Sequence, residues 1–556
     1  VSDESLFIPP MPEDRFWALV ELSGGDADKM KAILLWFPKE DIIAFDLRLG
    51  EVLERLDRED IHDVTDGSDD GFLYARCWIV SRGREYYEAM LADPSKGKDA
   101  EDQDNFEFNL STVYAYEALS GEGTWESVGE KYWNAYIKAR GREYSGWSRS
   151  VIQEQTSALN EEREERTMRL ASRMERLGTE TAFEVLAKAK ALEAQGRSII
   201  HLEIGEPDFP TPEHIVEAGC KALRDGYTHY TPAPGIPELR EAIAADATKR
   251  RGVEFSPEDV VVTPGGKPIM FYALLALVDE GDEVIYPNPG FPIYESMIRF
   301  AGGEAVPIQM EEARDFSIDV GKLCDMIGPQ TRMVVLNSPH NPTGGVLSRA
   351  DLEAIAEAVL RQPETLVLAD EIYSRMLYEG EHTSIAALPG MRERTIVLDG
   401  FSKIYAMTGW RLGYGLLPHE LVAPIVRLLI NSASCTAAAT QMAGVAALAG
   451  SQAPSEAMVE EFRRRREVII RGLNAIPKIS AKTPHGAFYA FPNITETGMT
   501  SRQMADLLLN EAGVAVLSGT AFGVYGESYI RLSYANSVEQ IEEALNRIQR
   551  TLAEHA

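Results

Sequence analysis

The sequence predicts an α/β catalytic unit preceded by a mostly helical, acidic one, and three observations carry that reading. Apolar, β-branched runs near Val261, at Met333–Leu336, at Thr365–Leu368 and at Thr395–Leu398 each break off into a polar or glycine-rich turn. Buried strands of an open α/β sheet read this way, and ligands bind where such strands end. A length of 556 residues exceeds the usual size of one domain, so at least two separately cored units are expected. Composition also breaks near residue 150: six of the seven tryptophans precede it, and only Trp410 follows. Residues 1–150 carry 32 acidic against 17 basic residues, a net of −15, whereas the other 406 carry 55 against 38, a net of −17. The first part is therefore more than twice as acidic per residue.

Within residues 1–147, Asp14–Leu22 and Asp41–Leu56 place apolar residues at three- and four-residue spacing and predict helices. Gly71–Met90 predicts another helical run, interrupted at Gly83. The string Asp66–Gly71, DGSDDG, imitates the first half of a calcium loop, but its twelfth position is Cys77 rather than glutamate, so a capping turn is the expectation and no metal is assigned. Ser148–Leu177, with EEREER at Glu161–Arg166, reads as a charged linker helix (148–177) into the catalytic part, which spans 178–556. Met168, Met174 and Leu177 mark that transition, and Phe183, Leu186 and Leu192 continue an amphipathic pattern.

The chemistry is concentrated where the predicted strands end. Thr395–Leu398 leads into Asp399–Gly413, DGFSKIYAMTGWRLG, which sets Lys403 at the mouth of a cleft and Arg411 eight residues later, within reach of a phosphate. That is the layout of a lysine that forms a Schiff base with pyridoxal 5′-phosphate (PLP), a task for which burial or nearby charge must lower the amine's pKa. Val261–Pro268, VVTPGGKP, is a strand, a glycine turn and a helix start, so the N–H groups of Gly266 and Lys267 face a phosphate. Asn337–Gly344, NSPHNPTG, is a proline-stiffened loop that aims Asn341 inward. Asp370 and Tyr373, in ADEIYS, follow their own strand, and Arg531 follows GESYI.

In the order GGK, PGF, NPTG, DEIY, SKxxxxxGWR and YIRLSYA, these motifs closely resemble the fold-type I, class I/II aminotransferases, in the branch of the shorter bacterial aspartate aminotransferases. The likeness runs from about Met168 to the C-terminus. It implies a large α/β domain (about 213–428) with a mostly parallel seven-stranded sheet. A small α+β domain, built from 178–212 and 429–556, would close over substrate. Carried over residue by residue, it makes Lys403 the Schiff-base lysine and proton carrier, and Asp370 the partner of the pyridine nitrogen, which keeps the ring able to accept electrons. It gives Tyr373 and Asn341 to the ring 3′ oxygen and Phe291 to the ring face. The phosphate falls to Arg411, Ser402 and the amides of Gly266 and Lys267. Arg531, with Gly205, would hold the substrate α-carboxylate, for which a guanidinium fork suits better than an amine. Tyr230 would be lent to the neighbouring subunit's phosphate, which implies a homodimer. Two positions depart from the pattern: Gly400 replaces a frequent hydroxyl residue, and Pro268 a common glutamine. A third departure is the lack, in Thr179–Lys188, of the Ser/Thr pair that helps relatives hold a distal carboxylate, so aspartate specificity is unsupported. Glu184 reads as a solvated helix face.

The expected reaction is transfer of the amino group of an α-amino acid to a 2-oxo acid. The alternative is PLP-dependent elimination or replacement. A DNA-binding regulator with a PLP-sensing domain is disfavoured, because the net charge is −32 and no basic recognition helix is found. The order SDD-F-R-W-GR-Y in the first unit resembles an uncharacterised bacterial domain family with no activity to carry over, and its acidity and aromatic content suit contacts with a protein partner. No membrane-spanning run is seen. The widely spaced cysteines (77, 220, 324 and 435) read as free thiols in a reducing cytoplasm, and His340 and His485 as loop or packing residues.

Overall fold

A computed structural model of the chain describes residues 11–24, 26–34, 39–56, 77, 79–93 and 170–555. Two compact units emerge, 1–168 and 169–556.

In the first unit, helices Glu13–Ser23, Lys39–Arg55 and Arg84–Ala92 coincide with the helical patterning, and Ala27–Leu34 adds a fourth. Their core is aromatic: Phe16 lies 5.1 Å from Trp17 and 4.9 Å from Phe45, and Trp17 lies 4.9 Å from Tyr87. Each such ring contributes more than its area alone, because edge-on and tilted contacts are favourable. Gly83, at φ +92°, breaks the helical run where the sequence placed the interruption, a conformation that side chains with a Cβ avoid. The DGSDDG string and the linker Ser148–Leu177, down to residue 169, lie outside the described residues. The described end of that linker is not α-helical: Ser172–Arg176 is a 3₁₀ turn that leaves Met174 and Leu177 exposed. Gly178 then hands its N–H to Ser296 Oγ at 2.8 Å, which turns the chain away from any continued helix.

The catalytic unit is built on strands β1 (Ile200–His201), β2 (Val260–Thr263), β3 (Glu283–Asn288), β4 (Glu304–Glu311), β5 (Ser317–Ile318), β6 (Thr331–Asn337), β7 (Leu366–Asp370), β8 (Thr395–Gly400), β9 (Gly413–Leu416), β10 (Tyr489–Ala490), β11 (Val514–Ala515), β12 (Leu517–Ser518) and β13 (Ile530–Ser533). The main sheet runs β2-β9-β8-β7-β6-β3-β4-β5. Strands β8, β7, β6, β3 and β4 are mutually parallel, while β9 runs against both β8 and β2. The sheet has eight strands where seven were expected. The extra one, β5, is a two-residue antiparallel edge on β4, too short to carry an alternating pattern. Helices on both faces bury the strands, so that Val260–Val262 and Ile396–Val397 are fully inaccessible. Each such side chain stabilises the fold by about 1.5–3 kcal/mol. A small sheet, β1-β11, joins the segment near residue 200 to the C-terminal part, and a second, β10-β13-β12, lies within that part.

A buried ionic cluster ties the strand ends together. Arg251, the last residue of helix Pro237–Arg251, donates from Nε to Glu371 Oε2 at 2.7 Å and from Nη2 to Asp399 Oδ2 at 2.6 Å. Ser384 donates to Glu371 and Tyr414 to Asp399. Charges this deep are tolerable only when paired and hydrogen-bonded.

Candidate active site

The parallel strands all point their C-terminal ends to one edge, and that edge opens into a cleft of about 570 Å³, within the range of small-molecule sites. Asp370 ends β7, Asn341 follows β6, Phe291 follows β3, and Ser402 and Lys403 follow β8. Strand β2 points the same way and delivers Gly266 and Lys267 at the start of helix Lys267–Leu277, with Pro268 in its first turn. From the small sheets come Arg531 on β13 and Tyr489 on β10, with Gly205 in the loop after β1. Of the twelve residues singled out from sequence, all line this cleft except Tyr230, which is 90% exposed elsewhere on the surface.

Lys403 reaches across the cleft, its Nζ donating to the Gly205 carbonyl at 2.5 Å and lying 5.8 Å from the Tyr373 and Phe488 rings. Burial, with Arg531 nearby, pulls its pKa down to about 8. An amine so placed is a nucleophile near neutrality. Because burial penalises the ammonium form, the reactive neutral form grows as pH rises: capture of PLP by the cofactor-free protein is expected to accelerate about tenfold from pH 7 to 9 and then level off. Stopped-flow absorbance measures this; a rate flat over that range would contradict it.

Asp370 accepts from Tyr294 Oη at 2.7 Å and from the Ile372 N–H at 3.2 Å. Burial raises its carboxyl to about pKa 6. Such a group favours a cationic partner beside it. Asn337 holds the arrangement, donating to the Asp370 carbonyl at 3.0 Å and accepting from the Asn341 N–H at 2.9 Å. The Tyr373 and Tyr489 hydroxyls are 2.6 Å apart.

Arg411, itself at positive φ, lies over the glycine turn: a Cβ built on Gly265 would fall 2.2 Å from its Nη2. The bare turn therefore makes room for the guanidinium. With the free N–H groups of the helix start and Ser402, it forms an anion cup. Gly400 cannot easily carry the hydroxyl side chain frequent at its position, since a Cβ there would meet Gly413 Cα at 3.0 Å. Phe291 flanks the cup, with Lys267 Nζ 5.4 Å from its ring centroid.

Arg531 is almost wholly buried between the rings of Tyr489 (4.5 Å) and Phe522 (4.9 Å). It donates to Asn341 Oδ1 at 3.1 Å and to the Glu203 carbonyl, and its Nε has no partner among the described residues. A buried guanidinium with an unused N–H is built to receive an anion. An anion cup, a buried carboxylate, a buried amine and a guanidinium with an unused N–H are together groups that PLP and an amino acid would fit.

Sequence reasoning missed Glu180, Tyr294, Tyr489 and Phe522. Tyr294 and Phe522 stand near proline or glycine, but like Tyr489 they read as ordinary core aromatics, and Glu180 sits just before helix Thr181–Ala194 in a charged run. Glu184 is exposed and does not line the cleft, as its helical phase suggested.

Comparison with known proteins agrees with this geometry. Residues 197–548 match the family aminotransferase class I and II, and residues 11–120 match a protein family of unknown function, DUF4240. An aspartate aminotransferase of Pyrococcus abyssi is 41% identical over 362 residues, covering 64% of this chain and 92% of that protein. Aromatic-amino-acid aminotransferase 2 of Thermococcus litoralis is 39% identical over 391 residues, covering 70% and 99%. Among solved structures, the aspartate aminotransferase of Rhizobium meliloti superposes with a TM-score of 0.67 at 36% identity, over 69% of this chain and 99% of that one.

Proposed function

Since the chain belongs to the class I and II aminotransferases and is a PLP-dependent enzyme of amino-group transfer, we propose that Lys403, Asp370 and Arg531 divide the work of that reaction between them. The observation that carries the assignment is their convergence, as amine, carboxylate and guanidinium, on one cleft beside an anion cup. PLP supplies a carbonyl that captures amines and a ring that accepts the electron pair released at Cα. Lys403 bonds the cofactor at rest and, once freed, carries the proton at Cα. Asp370 holds the ring nitrogen protonated. Gly266, Lys267, Ser402 and Arg411 grip the phosphate, Tyr373 and Asn341 face the ring oxygen, and Phe291 covers the ring. Arg531, with Gly205 and Asn341, orients the α-carboxylate.

The active unit in this reading is a homodimer, with Tyr230 serving a partner's phosphate; its 90% exposure in the single chain supports that role. The proposed domain limits are 178–212 with 429–556 around a large domain of 213–428, a division that the pairing of β1 with β11 supports. Among the described residues no helix is long and apolar enough to cross a membrane. A cytoplasmic location and a protein partner for residues 1–147 complete the proposal.

Absorbance of the PLP-loaded protein tests the function: single amino acids should convert the cofactor stoichiometrically to pyridoxamine phosphate and release a 2-oxo acid. Release of ammonia or a side-chain leaving group instead would refute transfer. Because every cleft residue lies between Glu180 and Arg531, cutting near Glu161 is expected to leave a soluble protein. Its first half-reaction should stay within about threefold of the full chain's, the size of effects remote from a site. Loss of that half-reaction with cofactor retained would show that the first unit completes the cleft.

A further inference from the structure

The cleft holds four cationic side chains among its described lining residues: Lys403, Arg411, Arg531 and Lys267. The proposed roles occupy the first three, and the side chain of Lys267 remains, since only its main chain serves the phosphate. A substrate with a distal carboxylate needs a cation for it, and Lys267 is already matched: its Nζ is bonded to Glu180 Oε1. The Glu180 side chain is only 15% exposed, against 48% for Lys267, so the carboxylate is the inner member of the pair. Its charge is felt within the site, raising the proton affinities of Lys403, Tyr489 and Arg531. A distal carboxylate arriving here would have to displace Glu180 from Lys267 and then lie beside it, and like charges at such range repel strongly. A distal ammonium meets Lys267 in turn.

The surrounding surface is apolar. Phe183 stands 61% exposed on the first turn of helix Thr181–Ala194, and Ile204, Phe291, Leu517, Ala521 and Phe522 line the same cleft. An exposed phenylalanine at the mouth of a site costs solvation unless a ligand covers it.

We propose that the Glu180–Lys267 pair makes the side-chain subsite electrically neutral and thereby selects α-amino acids with uncharged, large apolar or aromatic side chains, with Glu180 the residue that excludes dicarboxylates. The proposal rests on Arg531 being the α-carboxylate fork. The strap Leu177–Glu180, fixed by the Gly178 to Ser296 bond, is what brings this carboxylate to the cleft.

The test uses the full-length, PLP-loaded protein and two unreactive probes, 3-phenylpropionate and succinate, with phenylalanine, aspartate and lysine as substrates. The wild type is expected to bind 3-phenylpropionate more tightly than succinate and to prefer phenylalanine over both charged amino acids in kcat/KM. Glu180→Gln and Glu180→Ser release Lys267, and the preference for phenylalanine over aspartate should fall about 10- to 100-fold, the worth of one charge-assisted contact, with succinate binding tightened in parallel. An unchanged preference in both variants, or a wild type that favours aspartate or lysine, overturns the proposal. Arg531→Lys separates this from the underlying reading: it weakens both probes alike if the fork is right, and neither if that reading has failed.

Discussion

Lys403→Ala is expected to abolish turnover, by on the order of 10⁴-fold or more, since it removes both the covalent attachment and the proton carrier, and proton transfer alone is worth about 10²–10⁴. The cofactor should nonetheless stay bound. Arg411 over the glycine turn, the helix start at Lys267 and the buried Asp370 carboxylate are all independent of the amine. Borohydride reduction followed by mass measurement distinguishes the cases: the wild type retains the cofactor after unfolding, whereas the variant releases it. Retained turnover, or labelling at another lysine, would remove Lys403 from its role. The deletion also takes a desolvated amine out of the core, so failure to fold is not the expected cause of lost activity.

Arg531→Lys keeps a positive charge but loses the planar fork. Amino acid binding should weaken by about 1.5–3 kcal/mol, the range for a charge-assisted hydrogen bond, while the absorbance of the resting cofactor changes little. The guanidinium carbon lies 4.5 Å from the Tyr489 ring centroid and 4.9 Å from that of Phe522, and a lysine chain lacks the planar group that packs there. Equilibrium titration with an unreactive carboxylate reads the affinity directly. An unaltered affinity would mean that the α-carboxylate binds elsewhere in the cleft.

The parts of this molecule that could be read from sequence are those where chemistry and backbone punctuation coincide. Lys403 and Asn341 each follow an apolar strand in a segment marked by glycine or proline, and Asp370 closes a strand of the same sheet, so their convergence follows from the parallel sheet alone. Strand β9, GYGL, gives no such signal; its two glycines accept close neighbours, with Ile269 Cδ1 2.9 Å from a Cβ built on Gly415. The small-sheet strands are two to four residues long, too short for periodicity to register, which hid the approach of Tyr489 to Tyr373. Glu180 was hidden differently. In the charged run that opens the catalytic unit nothing marks one carboxylate over its neighbours; only the turn at Gly178 decides which of them faces inward. Glu184, four residues on, shows the alternative outcome on the solvent side.

The ionic cluster around Arg251 has an effect beyond holding strands. Glu371 and Asp399 are the next carboxylates to Asp370, one adjacent in sequence and one on the neighbouring strand, and both push its proton affinity upward. Left bare, two such charges would favour a neutral Asp370, which in its proposed role would be a poorer counterion for a ring nitrogen. Arg251, which does not line the cleft, pairs with both of them. Burial remains the largest influence on the Asp370 carboxyl, and a residue at the end of a helix pairs with the charges around it, so the background of the site shares in its tuning with the groups that line the cleft.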